Sequence, residues 1–384
     1  MSMFLSVVAG QGGIKVPGAP GTLSLGSATT STIALSWSAP SDTGGGTVSG
    51  YRIKKDGSVL VADTGSTGTT YSATGLTAST SYSFTVAAIN EKGTGADGNT
   101  PSLSTAAPVV YTTTGSPTVR THGIYTSLHW TGSGSFTVSS QPAGKTFDAW
   151  VVSGGGGGGH WQAGGGGAGG AKAFTGFTLT TSSSNTVTVP AGGAGNSMNY
   201  YPGYSGGDAV FGANSTSGGG GGGSYLSDGA AGGSGGGGGC TENASGQSAG
   251  TGIAGEGSNG GRSIGNVAAT AYVGGGGGGG GGVGGLPPSS TGYGGAGGSG
   301  ITNNYADGTT SGVGVGQWAG GGQGGAPLGY FGASPGYGNV TNDTSLSYGG
   351  SATANTGAGG SGGNSAQTNP PNGGSGAVVL RWVT

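Results

Sequence analysis

The chain has 384 residues, 104 of them glycine, with 6% charged residues and a net charge of −2; its length suits two or three domains. The glycines follow no Gly-X-Y period, which excludes collagen, and the near-neutral charge excludes nucleic-acid binding through a basic footprint. The aromatics and low net charge argue against disorder, a single cysteine, Cys240, excludes an intrachain disulfide framework, and no run of ~20 apolar residues predicts membrane insertion.

Residues 1–16 form a short segment with Phe4, Leu5, Val7 and Val8. It lacks a basic n-region and reads poorly as a signal peptide. The expectation is a protein made in a host cytoplasm that reaches the outside by lysis or a dedicated assembly. The segment is either an attachment peptide or a frayed end.

Residues 17–114 read as an all-β module. Alternating strands are expected at 32–38, 51–54, 82–89 and 109–113, separated by Gly, Pro, Asp and Asn clusters. Pro20-x-x-Leu23, the run Ile33 to Pro40 around Trp37, Gly50-Tyr51-Arg52-Ile53, Gly75-Leu76 and the run Tyr82 to Asn90 resemble the fibronectin type III family. The resemblance implies a sandwich with Trp37 in its core and a tyrosine corner built by Leu76 and Tyr82. No Arg-Gly-Asp triplet occurs, so integrin binding is not implied.

Residues 115–134 are expected to be a bridge, containing Ile124, Tyr125, Leu128, His129 and Trp130. Residues 135–384 are expected to form one glycine-rich domain. Strands are expected at 135–139, 146–153, 171–180, 185–190 and 377–384. In the second of these, Phe147, Ala149 and Val151 alternate with Asp148, Trp150 and Val152. The strand at 146–153 leads directly into the glycine stretch and the last strand leads out of it. A disordered linker has no reason to be bracketed in this way, so the stretch is expected to be a folded insert held by the flanking strands.

Long glycine runs narrow the options for that insert. An α-helix costs ~1 kcal/mol per glycine relative to alanine, and a strand without side chains packs poorly. A polyproline-II-like helix remains, with three residues per turn and no internal hydrogen bonds. Glycine on all three faces lets such helices approach and bond backbone to backbone. Ordering each residue costs roughly 1–2 kcal/mol against about 0.5–1.5 kcal/mol per hydrogen bond. The bundle therefore needs a β scaffold and aromatic cover. The expected fold class is all-β: a fibronectin type III sandwich, then a small β scaffold carrying a polyglycine-II bundle.

This half also resembles a family. Ser135-Phe136-Thr137-Val138, the run Phe147 to Gly154, Thr186 to Gly193, Gly206 to Gly212 and the ending Gly374 to Trp382 are similar to the glycine-rich domain of many bacteriophage tail and adhesin proteins. Here Phe147-Asp148-Ala149-Trp150 replaces the usual valine-rich first strand. The resemblance implies a virion protein of a tailed phage, at a tail fibre or tail tip, that binds the host cell surface. Its partners would be other tail or capsid proteins through the N-terminal part, and a host glycan or outer-membrane protein. The alternative is a decorating or structural protein of a virion or filament without a receptor.

Chemistry-bearing motifs are sparse. Gly144-Lys145-Thr146 lacks the glycine five positions earlier that a phosphate loop needs, since Ser139 stands there. His122, His129 and His160 are not at metal-ligand spacing. Acidic residues are scattered, so paired-carboxylate catalysis is not expected. No cofactor or enzymatic activity is expected. Candidate receptor contacts are the aromatic clusters between glycine blocks: His160 with Trp161, Tyr200 with Tyr201 and Tyr204, Trp318, and Tyr330 with Phe331. They would be loops on a rigid support; the competing reading is that these rings pack along the bundle flank.

Overall fold

The computed structural model describes residues 13–198, 200–241, 246–265, 273–288, 293–302, 317–324, 352, 354–363 and 371–384. Among these the chain is all-β, with several sheets and no α-helix. It divides into two compact units, Met1–Val109 and Val110–Val383.

The first unit has strands β1 (Ser24–Ala28), β2 (Ile33–Ser36), β3 (Gly50–Lys55), β4 (Ser58–Val61), β5 (Thr70–Ala73), β6 (Ser81–Asn90), β7 (Gly93–Asp97) and β8 (Ser102–Ser104). One sheet has the order β1-β2-β5; the other runs β4-β3-β6-β7, with β8 also on β6. Alternation along the strands turns Ile33, Leu35, Tyr51, Ile53, Phe84 and Val86 into one buried cluster. Trp37 meets Tyr51 edge to face at 5.2 Å. Leu76 is buried, and the Thr77 N–H donates to the Tyr82 hydroxyl oxygen at 2.9 Å, so the tyrosine corner is present.

The second unit begins with β9 (Val110–Thr114), β10 (Thr118–His122), β11 (Tyr125–Trp130) and β12 (Gly134–Ser140). This differs from the sequence expectation, which gave residues 109–113 to the sandwich and 115–134 to a bridge. β9 pairs with β12, and its Tyr111 ring packs on Phe136 and Trp382, each at 5.3 Å. β11 buries Leu128 and Trp130 in the same core. The remaining strands are β13 (Phe147–Val152), β14 (Ala171–Phe177), β15 (Ser184–Thr188), β16 (Ala209–Phe211), β17 (Asn214–Thr216), β18 (Ile301–Thr302), β19 (Gln317–Trp318) and β20 (Ala377–Val383).

Two five-stranded sheets have the orders β10-β11-β20-β13-β14 and β17-β16-β15-β12-β9. Their core is a set of rings: Phe136 lies 6.2 Å from Phe147, 6.2 Å from Trp130 and 6.0 Å from Trp382. β13 and β20, the strands on either side of the glycine stretch, pair antiparallel from Asp148↔Arg381 to Val152↔Ala377. Their other face is covered as well. Trp150, Val152, Ala377 and Val379 pack with Ala168, Ala171, Trp318 and Ala319. Both faces of β13 are therefore buried, and its alternation separates two apolar environments. At the junction the Ala209 N–H donates to Ser153 Oγ at 2.8 Å, and Ser153 Oγ donates to the Thr216 carbonyl at 2.6 Å.

Beyond β13 the glycine segments are joined through their backbones with a period of three. The N–H groups of Gly154 and Gly157 donate to Gly207 and Tyr204; those of Gly155 and Gly158 donate to Gly374 and Pro371; those of Gly156 and Gly159 donate to Gly167 and Gly164. Their carbonyls accept in the same rotation, from Gly219 and Gly222, from Gly193, and from Gly360 and Gly363. Residues 154–159 thus have six neighbouring segments. A Cβ on Gly154, Gly155, Gly156 or Gly157 would lie 2.0–2.2 Å from a backbone oxygen of a neighbour. At these four positions only glycine fits.

Candidate functional site

The bonding register gives each segment a direction. Gly219 and Gly222 donate to Gly154 and Gly157, so these two runs are parallel and both lead away from the sheets. Gly203 and Gly206 donate to Gly222 and Gly219, and Gly164 and Gly167 donate to Gly223 and Gly220. Those two segments run back toward the sheets. Residues 160–163, 196–198 with 200–202, and 224–228 therefore close the lattice at one end, remote from the sheets.

These three loops bring their rings together. Trp161 lies 5.5 Å from Tyr200 at 73° and 5.6 Å from Tyr225 at 39°; Tyr200 lies 5.2 Å from Tyr225 at 60°. Ring pairs at this spacing contribute about 0.5–1.5 kcal/mol each. Around them Tyr200, Tyr201, Tyr204, Met198 and Leu226 are all more than half exposed, at 52%, 58%, 58%, 61% and 55%. Large exposed side chains grouped in this way make this end a candidate interaction surface.

The loops are held in strained conformations. Trp161, Gln162, Tyr200 and Leu226 have φ of 62°, 50°, 72° and 61°, a region that costs a non-glycine residue on the order of 1 kcal/mol. Backbone and side-chain bonds hold them there. Gly159 donates to Gly164 at 3.2 Å and Leu226 to the Cys240 carbonyl at 3.0 Å. The buried Cys240 thiol donates to the Trp161 carbonyl at 3.7 Å, and the Met198 N–H donates to Asn196 Oδ1 at 3.0 Å. The lone cysteine joins two of the loops from beneath.

The candidate residues separate accordingly. Trp161 and Tyr200 lie in the cluster, with Tyr201 and Tyr204 exposed beside it. His160 is buried under the loop. Trp318 is corrected: it is 4% exposed and packs in the apolar layer between sheet and lattice with Trp150 and Val379. It occupies the start of a segment leaving the sheets, where apolar cover is needed, not its outer end. Tyr330 and Phe331 lie outside the described residues. Tyr225 completes the cluster and is not among the candidates. Its signal is positional, since it follows the run 218–223 as Trp161 follows the run 154–159.

Other chemistry is limited. Ser127 Oγ lies 3.1 Å from His129 Nε2, but both are buried within β11. Among the described residues no three His, Cys, Asp or Glu side chains group as a metal site.

Two family models match the chain: the fibronectin type III domain over residues 18–104 and the glycine-rich domain over residues 130–383. Chitinase 63 of Streptomyces plicatus is 34% identical over 110 residues, 25% of this chain and 17% of that protein. Chitinase Chi52 of Paenibacillus xylanexedens is 42% identical over 93 residues, 24% of this chain and 16% of that protein. The chain thus spans about a sixth of the length of these curated relatives, and the matched stretch is the fibronectin type III region. Among solved structures, the sixth fibronectin type III domain of a human fibronectin type III domain containing protein is 22% identical. It covers 26% of this chain and 94% of its own, with a TM-score of 0.23. A Yersinia enterocolitica family 28 exopolygalacturonase is 23% identical over 24% of this chain and 21% of its own, with a TM-score of 0.21.

Proposed function

The chain belongs to the glycine-rich domain family, and from that premise we propose that it is a non-enzymatic virion protein of a tailed bacteriophage. Its place is a tail fibre or tail tip, where it binds the host cell surface through the outer end of the glycine lattice. The observation that carries this reading is the meeting of Trp161, Tyr200 and Tyr225 from three separate loops. The period-three bonding supports reading the lattice as a polyglycine-II bundle. A rigid bundle presents preorganised loops, which lowers the entropy lost on binding, and several copies per particle multiply a modest affinity. The N-terminal part, with the fibronectin type III domain, is the side that joins other virion proteins.

The test is binding of the labelled full chain to a panel of bacterial strains, compared with a Trp161→Ala, Tyr200→Ala, Tyr225→Ala triple variant. Binding to a subset of strains, lost in the variant and competing with infection, is the expected result. A full chain that binds no strain, or a variant that binds as well, refutes the reading and leaves a decorating role.

A further inference from the structure

We propose that the ring cluster takes an uncharged sugar; the proposal rests on the surface-binding reading above and names its ligand. The first support is the shape of the groups on offer. A pyranose presents a patch of C–H bonds on its face and hydroxyls around its rim. Aromatic rings accept the first, and amides and hydroxyls the second. Trp161, Tyr200 and Tyr225 supply the rings, and none of the three pairs is a parallel stack. Beside them stand half-buried Gln162 and exposed Tyr201.

The second support is charge. Between residues 154 and 376 the sequence has two basic residues, Lys172 and Arg262. Lys172 is on β14 at the sheet end, with its ammonium 5.4 Å from the Phe174 ring. Arg262 lines a separate groove on the lattice flank with Thr251, Val283 and Leu286. Apart from tyrosines, the loops 160–163, 196–204 and 224–228 hold two ionisable residues, buried His160 and exposed Asp228. A carboxylated or phosphorylated glycan is recognised by Arg or Lys. These three loops hold none, and Asp228 adds a carboxylate that repels it. The same scarcity favours a neutral, hydroxyl-rich ligand.

The tryptophans make the test specific. Trp37, Trp130, Trp150, Trp318 and Trp382 are all buried, and Trp161 is the one that is not. Acrylamide quenching of the full chain therefore reports on Trp161, and a Trp161→Phe variant should lose the quenchable component. The probes are neutral hexaoses (chitohexaose, maltohexaose, cellohexaose, mannohexaose), with hexagalacturonate and sialyllactose as acidic counterparts. The expected result is that a neutral oligosaccharide at least halves the quenching constant while the acidic ones leave it unchanged. Tyr225→Ala should raise the half-saturating concentration about tenfold while thermal unfolding remains cooperative. Protection by the acidic probes as strong as by the neutral ones overturns the proposal. So does the absence of protection by every neutral probe while the full chain still binds cells through the three rings. That second outcome leaves the surface-binding reading standing and assigns a protein partner. Loss of ring-dependent cell binding itself would instead remove the reading beneath.

Discussion

Gly222→Ala tests the lattice most directly. The new Cβ would sit 1.9 Å from the Gly164 carbonyl oxygen, where ordinary contact begins at 3.4 Å. The neighbouring segment must move by about 1.5 Å. That motion takes two bonds beyond reach, Gly164 N–H to the Gly223 carbonyl at 2.8 Å and Gly167 N–H to the Gly220 carbonyl at 2.7 Å. Each lost bond costs roughly 0.5–1.5 kcal/mol, more where the partners stay buried. The alanine returns about 0.4–1 kcal/mol through the unfolded chain. With the partners left buried, at about 1–3 kcal/mol for each of the two bonds, the net expectation is a loss of roughly 1–5 kcal/mol. Gly132 is the control, since a Cβ there meets nothing within 4 Å and its φ is not left-handed; Gly132→Ala should be neutral or slightly stabilising. Urea unfolding followed by tryptophan fluorescence measures both. Equal midpoints for the two variants would refute the close backbone packing.

Trp318→Ala should destabilise by about 3–5 kcal/mol as a core truncation, whereas Trp161→Ala gives up two ring contacts of about 0.5–1.5 kcal/mol each and should cost only about 1–3 kcal/mol in the same urea unfolding. Tyr82→Phe removes the acceptor of the Thr77 N–H and should cost about 1 kcal/mol, read as a lower melting temperature of the first unit. Asp97 receives hydrogen bonds from Lys54 at 2.6 Å and Arg52 at 3.0 Å. The Lys54 bond, first of its causes, holds the carboxyl below its ordinary range. Its contribution to stability is therefore present above the ordinary carboxylate pKa and lost as pH falls through the lowered value. The stability advantage of the wild type over Asp97→Asn should shrink between pH 7 and pH 3, as thermal scans of the two proteins will show.

Much of this architecture is legible in the chain. The strands on either side of the glycine stretch declare themselves through β-branched and aromatic residues, and their pairing follows from the need to anchor both ends. β9 is harder, because Val110-Tyr111-Thr112-Thr113-Thr114 alternates as well for one module as for the other. Its pairing with β12 and the packing of Tyr111 on Phe136 and on the distant Trp382 decide it. The same holds for Trp161 and Trp318. Each lies between glycine blocks and beside a glutamine, so local sequence treats them alike. What separates them is the direction of the segment they belong to, one ending and the other starting there. That direction comes from hydrogen bonds between distant glycines, which carry no side-chain signature. Tyr225, by contrast, is legible by position, two residues past the run 218–223 as Trp161 is past 154–159.

The period of three in the lattice bonds has a consequence for how such chains can change. Residues three apart meet the same neighbour, so run lengths act modulo three. Adding three glycines carries a loop outward by about 9 Å and leaves the phase of every later residue intact. Adding one or two rotates all that follow toward the wrong partner. The loops obey no such rule, because the backbone bonds beneath them are indifferent to loop sequence. Variation among related chains should therefore come in two forms: free rewriting of the loops, and lengthening or shortening of the runs in steps of three.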